Sequence, residues 1–190
     1  MKTKFPRAAA LDVARELCAA LKPATERLIV AGSLRRRKAE VGDVEILYIP
    51  KRGMFTPPGE IFARMCNVAT LELDHLLGNG TLTKRLSKTG TEAWGEKNKL
   101  AVHRSGVPVD LFAATEENWW NYLVCRTGPG ESNIAICNAA IARGWKWNPY
   151  GSGFSRGGFF AGEKNEHAVT SEAEVFEFVG LPYLPPEKRG

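Results

Sequence analysis

Apolar residues at Leu11, Val13, Ala14, Leu17, Cys18 and Leu21 recur at three- and four-residue spacing. That rhythm predicts an amphipathic helix, and Pro23 ends it. A short apolar run, Arg27 to Ala31 (RLIVA), reads as a buried strand, with Gly32 starting the turn. Asp43 to Ile49 reads as a second strand, apolar apart from Asp43, Glu45 and the Tyr48 hydroxyl. Residues 50–59 hold three prolines and two glycines and are expected to form a loop. From Ile61 to Leu77 the pattern is helical at least in part, and Gly78-Asn79-Gly80 is a tight turn.

Three antiparallel strands are expected next, Leu82–Leu86, Lys99–His103 and Val107–Phe112, with Ser105-Gly106 turning between the last two. Ser87–Asn98 reads as a loop and Glu116–Cys125 as a helix. Gly128-Pro129-Gly130 breaks the chain, and Asn133–Arg143 opens a new helix with Gly144 at its C-cap. Residues 145–170 read as short strands with glycine turns, Gly151–Gly158 being a hairpin loop that brings Arg156 near a nucleic acid. Ser171–Val179 reads as a capped helix and Leu181–Gly190, with three prolines, as a tail. The expected fold class is α+β: a mixed or antiparallel sheet flanked by helices over 1–128, and a small α/β part over 129–190.

Composition narrows the partner. The 190 residues carry a formal net charge of +5, which modestly favours an anionic one. The four cysteines form no CxxC pair and read as reduced thiols, neither a disulfide framework nor a zinc site. Asp12, Arg15 and Glu16 interrupt the first apolar run, so it is neither a signal peptide nor a membrane span. A soluble, cytoplasmic monomer is the expectation.

Residues Ala31 to Pro50 (AGSLRRRKAEVGDVEILYIP) carry the chemistry. Strand side chains alternate faces, so Asp43 and Glu45, two apart, share one. Two carboxylates side by side need a neutralising cation, and a divalent metal is the obvious one. Hard oxygen ligands suit Mg²⁺, with Mn²⁺ as an alternative. Asp110, in the otherwise apolar Val107–Phe112, is the best third carboxylate, because an unpaired one is expensive to bury there. Gly32 and Ser33 follow a strand, where backbone amides and a hydroxyl can hold phosphate oxygens. Arg36 faces the anions, while Arg35, Arg37 and Lys38 are a solvated basic face or DNA contacts. The set describes a nucleotidyltransferase with two metal ions.

This constellation resembles the family X DNA polymerases, the DNA polymerase beta group. Gly32-Ser33, Arg36 and Gly42-Asp43-Val44-Glu45 are similar to their palm signature, and Val109-Asp110-Leu111 to the strand of the third carboxylate. Tyr122 to Gly128 resembles the helix from palm to thumb. The resemblance implies that Gly128 and Asn133 meet the incoming nucleotide, and that Lys4 or Arg7, in Lys4-Phe5-Pro6-Arg7, touches its triphosphate. It implies a primer-template, gapped or nicked, a dNTP, two Mg²⁺ ions and short-gap repair synthesis. The chain begins where the family's palm begins, so the resemblance leads one to expect no amino-terminal lyase module or fingers.

Three residues depart from the family. Glu45 stands where Asp is usual, Cys125-Arg126 where a Tyr-Phe pair gates the sugar, and Pro108 where a basic residue helps activate the primer hydroxyl. His103 or Arg104 could replace that base. Trp119 and Trp120 read as packing residues, one facing the core and the other partly exposed; Trp145, Trp147 and Tyr150 could stack on bases, but packing is favoured. Two other functions stay open: a template-free nucleotidyltransferase acting on protein, RNA or a small molecule, and a non-catalytic DNA-binding module. The three carboxylates argue against the second.

Overall fold

Helix α1 (Arg7–Leu21) buries Ala10, Val13, Ala14, Leu17 and Leu21, nearly the stripe that the apolar spacing marks. Each fully buried leucine there contributes about 1.5–3 kcal/mol. The computed structural model describes residues 3–56, 59–87, 89–157 and 164–190. The chain forms two compact units, Met1–Val30 with Ala39–Ala114, and Ala31–Lys38 with Thr115–Gly190. The division therefore falls ahead of the boundary expected after residue 128, and the Gly-Ser-Arg turn goes with the C-terminal part. Among the described residues no helix is long and apolar enough to cross a membrane.

In the first unit, β1 (Phe5–Pro6) leads into α1, and β2 (Thr25–Val30) follows it. β3 (Glu40–Val41) pairs antiparallel with β1, and β4 (Val44–Pro50) pairs antiparallel with β2. β7 (Leu82–Lys84), β8 (Asn98–His103) and β9 (Pro108–Ala113) are the three antiparallel strands expected, and β9 runs parallel to β4. The sheet order is β2-β4-β9-β8-β7, mixed as expected. Val44, Ile46, Leu47 and Tyr48 are fully buried, which is how a central strand covered on both faces reads. Leu47 shares Glu45's face and is buried all the same.

One segment departs from expectation. β5 (Arg52–Phe55) and β6 (Arg64–Asn67) form a two-stranded antiparallel ribbon where a loop and the start of a helix were predicted. Helix α3 (Val68–Gly78) begins only after Asn67, whose side chain accepts from Thr70 N at 3.1 Å. The ribbon leaves Met54 and Met65, partners in its register, exposed, so its apolar positions carry no periodic burial signal.

The second unit holds α2 (Gly32–Arg35), α4 (Trp119–Thr127), α5 (Gly130–Ala142) and α6 (Glu172–Glu177). Its antiparallel sheet is β10 (Lys146–Trp147), β11 (Gly153–Gly157) and β12 (Lys164–Ala168). Ile136, Trp147, Phe154, Val175 and Phe176 lie in its core, and Trp145 and Trp120 pack against it, so these tryptophans serve packing. Trp147 Nε1 donates to the buried Asn121 Oδ1 at 3.0 Å. Gly151–Gly158 is not simply a hairpin loop: Gly153–Gly157 is β11 itself, and Gly158 lies outside the described residues. A Cβ on Gly153 would sit 2.0 Å from the His167 carbonyl oxygen, so only glycine lets these strands approach. Arg156 lies over the Trp145 ring, 4.8 Å from its centroid.

Arg35 and the C-terminal segment also differ from expectation. Arg35 donates to both Glu172 carboxylate oxygens, at 2.7 and 2.8 Å, and to Thr127 Oγ1 at 2.8 Å. It is an internal strut, not a solvated cation. Arg189 is 2% exposed, 3.5 Å from Glu172, and lies over Phe176 and Tyr183, so it anchors the C-terminal tail, most of whose other residues stay exposed. Glu172→Gln would leave two cations uncompensated around a buried site, and a loss of about 3–5 kcal/mol is expected from urea unfolding.

Helix α6 has the expected cap, Ser171 Oγ accepting from Glu174 N at 3.1 Å. Glu174 reaches back to the Thr170 N–H at 2.7 Å and lies 3.0 Å from His167. The Thr170 amide, with burial opposing it, holds the Glu174 carboxyl below its ordinary 4.5. Its stabilising contribution is therefore complete above that value and is lost as pH falls through the lower, folded one. Thermal melts of Glu174→Gln from pH 7 to pH 3 should show a shallower fall in stability than wild type.

Candidate active site

The parallel pairing of β4 with β9 sets Glu45 directly against Asp110. Neighbouring strands lie about 4.8 Å apart, and residues in register point to the same face. Asp43 stands one residue before β4, and all three acids are half-buried. Carboxylates carried by adjacent strands in register repel, and the more so where solvent screens them incompletely. The structure answers that repulsion with a cation the sequence reading missed. Arg85 Nη2 donates to Asp110 Oδ1 with side-chain exposures of only 30% and 20%, so solvent screens the pair incompletely.

Arg85 reaches this position through strand register. Its backbone N–H donates to the Leu100 carbonyl at 2.9 Å, and Leu100 is the β8 partner of Asp110. Residue 85 was expected to be an ordinary strand position, and only the alignment of three strands reveals it. The residues proposed to replace a base at Pro108 are engaged elsewhere. His103 Nε2 lies 3.3 Å, and Arg104 Nη2 2.7 Å, from the Glu16 carboxylate of α1.

The donor set suits a hard divalent ion, being all carboxylate oxygen. Among the described residues, however, no group of three or more His, Cys, Asp or Glu side chains is arranged to hold a metal. Arg85 engages Asp110 instead. Lys4 is exposed and precedes β1, whose antiparallel register with β3 carries it toward Gly42 and Asp43.

The remaining expected residues belong to the second unit. Gly32 (φ +62°) and Ser33 open α2, a single turn too short for a sizeable macrodipole, so phosphate binding there would rest on side chains. Arg36 donates to the Thr127 carbonyl, beside Gly128, whose φ of +58° favours glycine. The Gly128–Pro129 peptide is cis. Asn133 donates from Nδ2 to the Cys125 carbonyl at 2.9 Å, while its buried Oδ1 has no partner. Arg126 lies over the rings of Tyr122 and Tyr150, 5.2 and 5.6 Å from their centroids. Burial is the main cause of a raised Tyr122 hydroxyl pKa. Arg37 and Lys38 remain exposed.

Residues 122–190 match the family model of the DNA polymerase beta thumb. The C-terminal part of the chain is similar to that thumb. That match supports a family X DNA polymerase-like protein. No curated protein matches the chain. The thumb match takes in Gly128 and Asn133 and begins at Tyr122, within α4.

Arg85→Gln should destabilise the first unit by about 1–3 kcal/mol, because Glu45 and Asp110 would then face each other without it. Adding Asp110→Asn should recover most of that loss. Urea unfolding of the four proteins in a double-mutant cycle measures the coupling, and additive losses would show that the ion pair is inert.

Proposed function

We propose that the protein is a template-directed DNA polymerase of the family X type, which extends a primer 3′-hydroxyl in short-gap repair synthesis. The observation that carries this reading is the register of Glu45 against Asp110 in a chain whose C-terminal part is similar to a DNA polymerase beta thumb. A thumb of that kind implies DNA as the partner. DNA would be held through its phosphates, giving salt-dependent, sequence-tolerant binding.

In this reading Asp43, Glu45 and Asp110 form the acidic face of a nucleotidyltransferase palm and would hold two Mg²⁺ ions. Bound there, the ions would acidify the primer hydroxyl and spread the charge of the transferring phosphate. Asp110 orients that hydroxyl toward the α-phosphate of the dNTP. The new bond forms there as the bond to pyrophosphate breaks. Arg85 holds Asp110 in place, supplying from beyond β7 the cation that Pro108 lacks. Ser33 and Arg36 take the β and γ phosphates, with Lys4 as a further cation. Gly128 and Asn133 receive the nucleotide, and the orphaned Asn133 Oδ1 is the acceptor available to it.

Extension of a labelled primer across a one-nucleotide gap tests the reading, with Mg²⁺ or Mn²⁺ and each of the four nucleotides. Incorporation should follow the template base, and Asp110→Ala should lower it at least about a hundredfold with DNA affinity nearly unchanged. Full incorporation by that variant would refute the site assignment. Incorporation that ignores the template would instead favour a template-free nucleotidyltransferase.

A further inference from the structure

The first unit contains a second polar site, on the sheet face opposite the carboxylates. Leu100 is registered against Asp110, and strand alternation sends the preceding Lys99 to the other face. There a cavity of about 310 Å³ is lined by Cys66, Asn67, Thr70, Trp94, Glu96 and Lys99 among others. Lys99 is 1% exposed, and its Nζ donates to the Gly95 carbonyl at 2.7 Å and to Thr70 Oγ1 at 3.2 Å. An ammonium has three protons, so one is left over. Burial also lowers the Lys99 pKa.

Asn67 adds a second donor. It is 8% exposed, its Oδ1 caps α3, and its Nδ2 is buried with no acceptor. Buried donors are normally satisfied, so an orphan lining a cavity points to an absent acceptor. One wall is the half-buried Trp94, with Lys84 Nζ and Lys99 Nζ 5.8 and 5.9 Å from its ring centroid. The indole is held by Nε1 donating to Asp74 at 2.8 Å, and Lys84 is paired with Glu92 at 2.7 Å; a fixed aromatic face with cations beside it is a setting in which nucleic-acid bases stack.

We propose that this cavity binds one unpaired nucleobase bearing ring carbonyls, stacked on Trp94 with a carbonyl oxygen accepting from Lys99 Nζ and Asn67 Nδ2. The inference rests on the nucleic-acid reading above but not on catalysis. The discrimination lies at position 4 of the ring: thymine O4 would accept from these donors, whereas the cytosine N4 amino group would set donor against donor, so thymine is favoured over cytosine. The base could come from a single strand or from a free nucleotide.

Fluorescence anisotropy of labelled ten-nucleotide strands, without metal, tests it: oligo-dT, oligo-dC and an abasic backbone of equal length, with thymidine monophosphate as competitor. Oligo-dT should bind about tenfold more tightly than oligo-dC. Trp94→Leu should reduce oligo-dT binding to the abasic level. Asn67→Asp keeps the acceptor that caps α3 but removes the donor, so it should abolish or reverse the dT preference. Competition by the monophosphate would identify a free-nucleotide site, and binding without competition a strand site. An unchanged dT to dC ratio in Asn67→Asp, or abasic binding equal to oligo-dT, overturns the proposal. Loss of primer extension with this selectivity intact would refute only the catalytic reading, whereas no binding of any strand would overturn both.

Discussion

The first unit depends on one constraint, the parallel register of β4 and β9. A parallel pair needs a long crossover, and everything from β5 to β8 lies within this one. Because the register is fixed, Glu45 and Asp110 cannot avoid each other, and a one-residue slip would turn either carboxylate toward the opposite face. The apolar residues on both faces of β4 resist such a slip. Hydrophobic burial thus enforces an electrostatic conflict, and Arg85 is the protein's own answer to it.

The second unit solves a different problem with similar chemistry. Its small core of Ile136, Trp147, Phe154 and Val175 is joined to α2 by Arg35, whose guanidinium meets Glu172 through two short hydrogen bonds. Arg189 approaches the same carboxylate from the C-terminal segment. One buried acid therefore ties three stretches distant in sequence. Removing it would cost more than a surface ion pair is worth, since both cations have limited access to water.

Much of this was legible in the sequence, for reasons that particular residues make plain. The stripe of α1, the isolated acids of β4 and β9 and the Ser171 cap are local signals that survive folding unchanged. The thumb-like run from Tyr122 was legible as well, because its spacing is itself a pattern. The β5–β6 ribbon was not, since its exposed methionines leave no periodic burial. Nor was the burial of Arg35 and Arg189, because a charged residue in a basic run or a proline-rich end looks solvated until Glu172 arrives from afar. Arg85 and Lys99 were hidden for the same reason: their roles follow from β7, β8 and β9 lying side by side.

Arg85 also changes how the departures from the family signature are understood. Pro108 cannot supply a cation beside Asp110, and His103 and Arg104 are held by Glu16 instead. The guanidinium of Arg85, just after β7 and across β8 from Asp110, supplies a positive charge at that carboxylate. Glu45 places its carboxyl about one bond further from the backbone than aspartate would, opposite an Asp110 already held by Arg85. Glu45 and Arg85 therefore meet at one carboxylate, the first through strand register and the second through an ion pair.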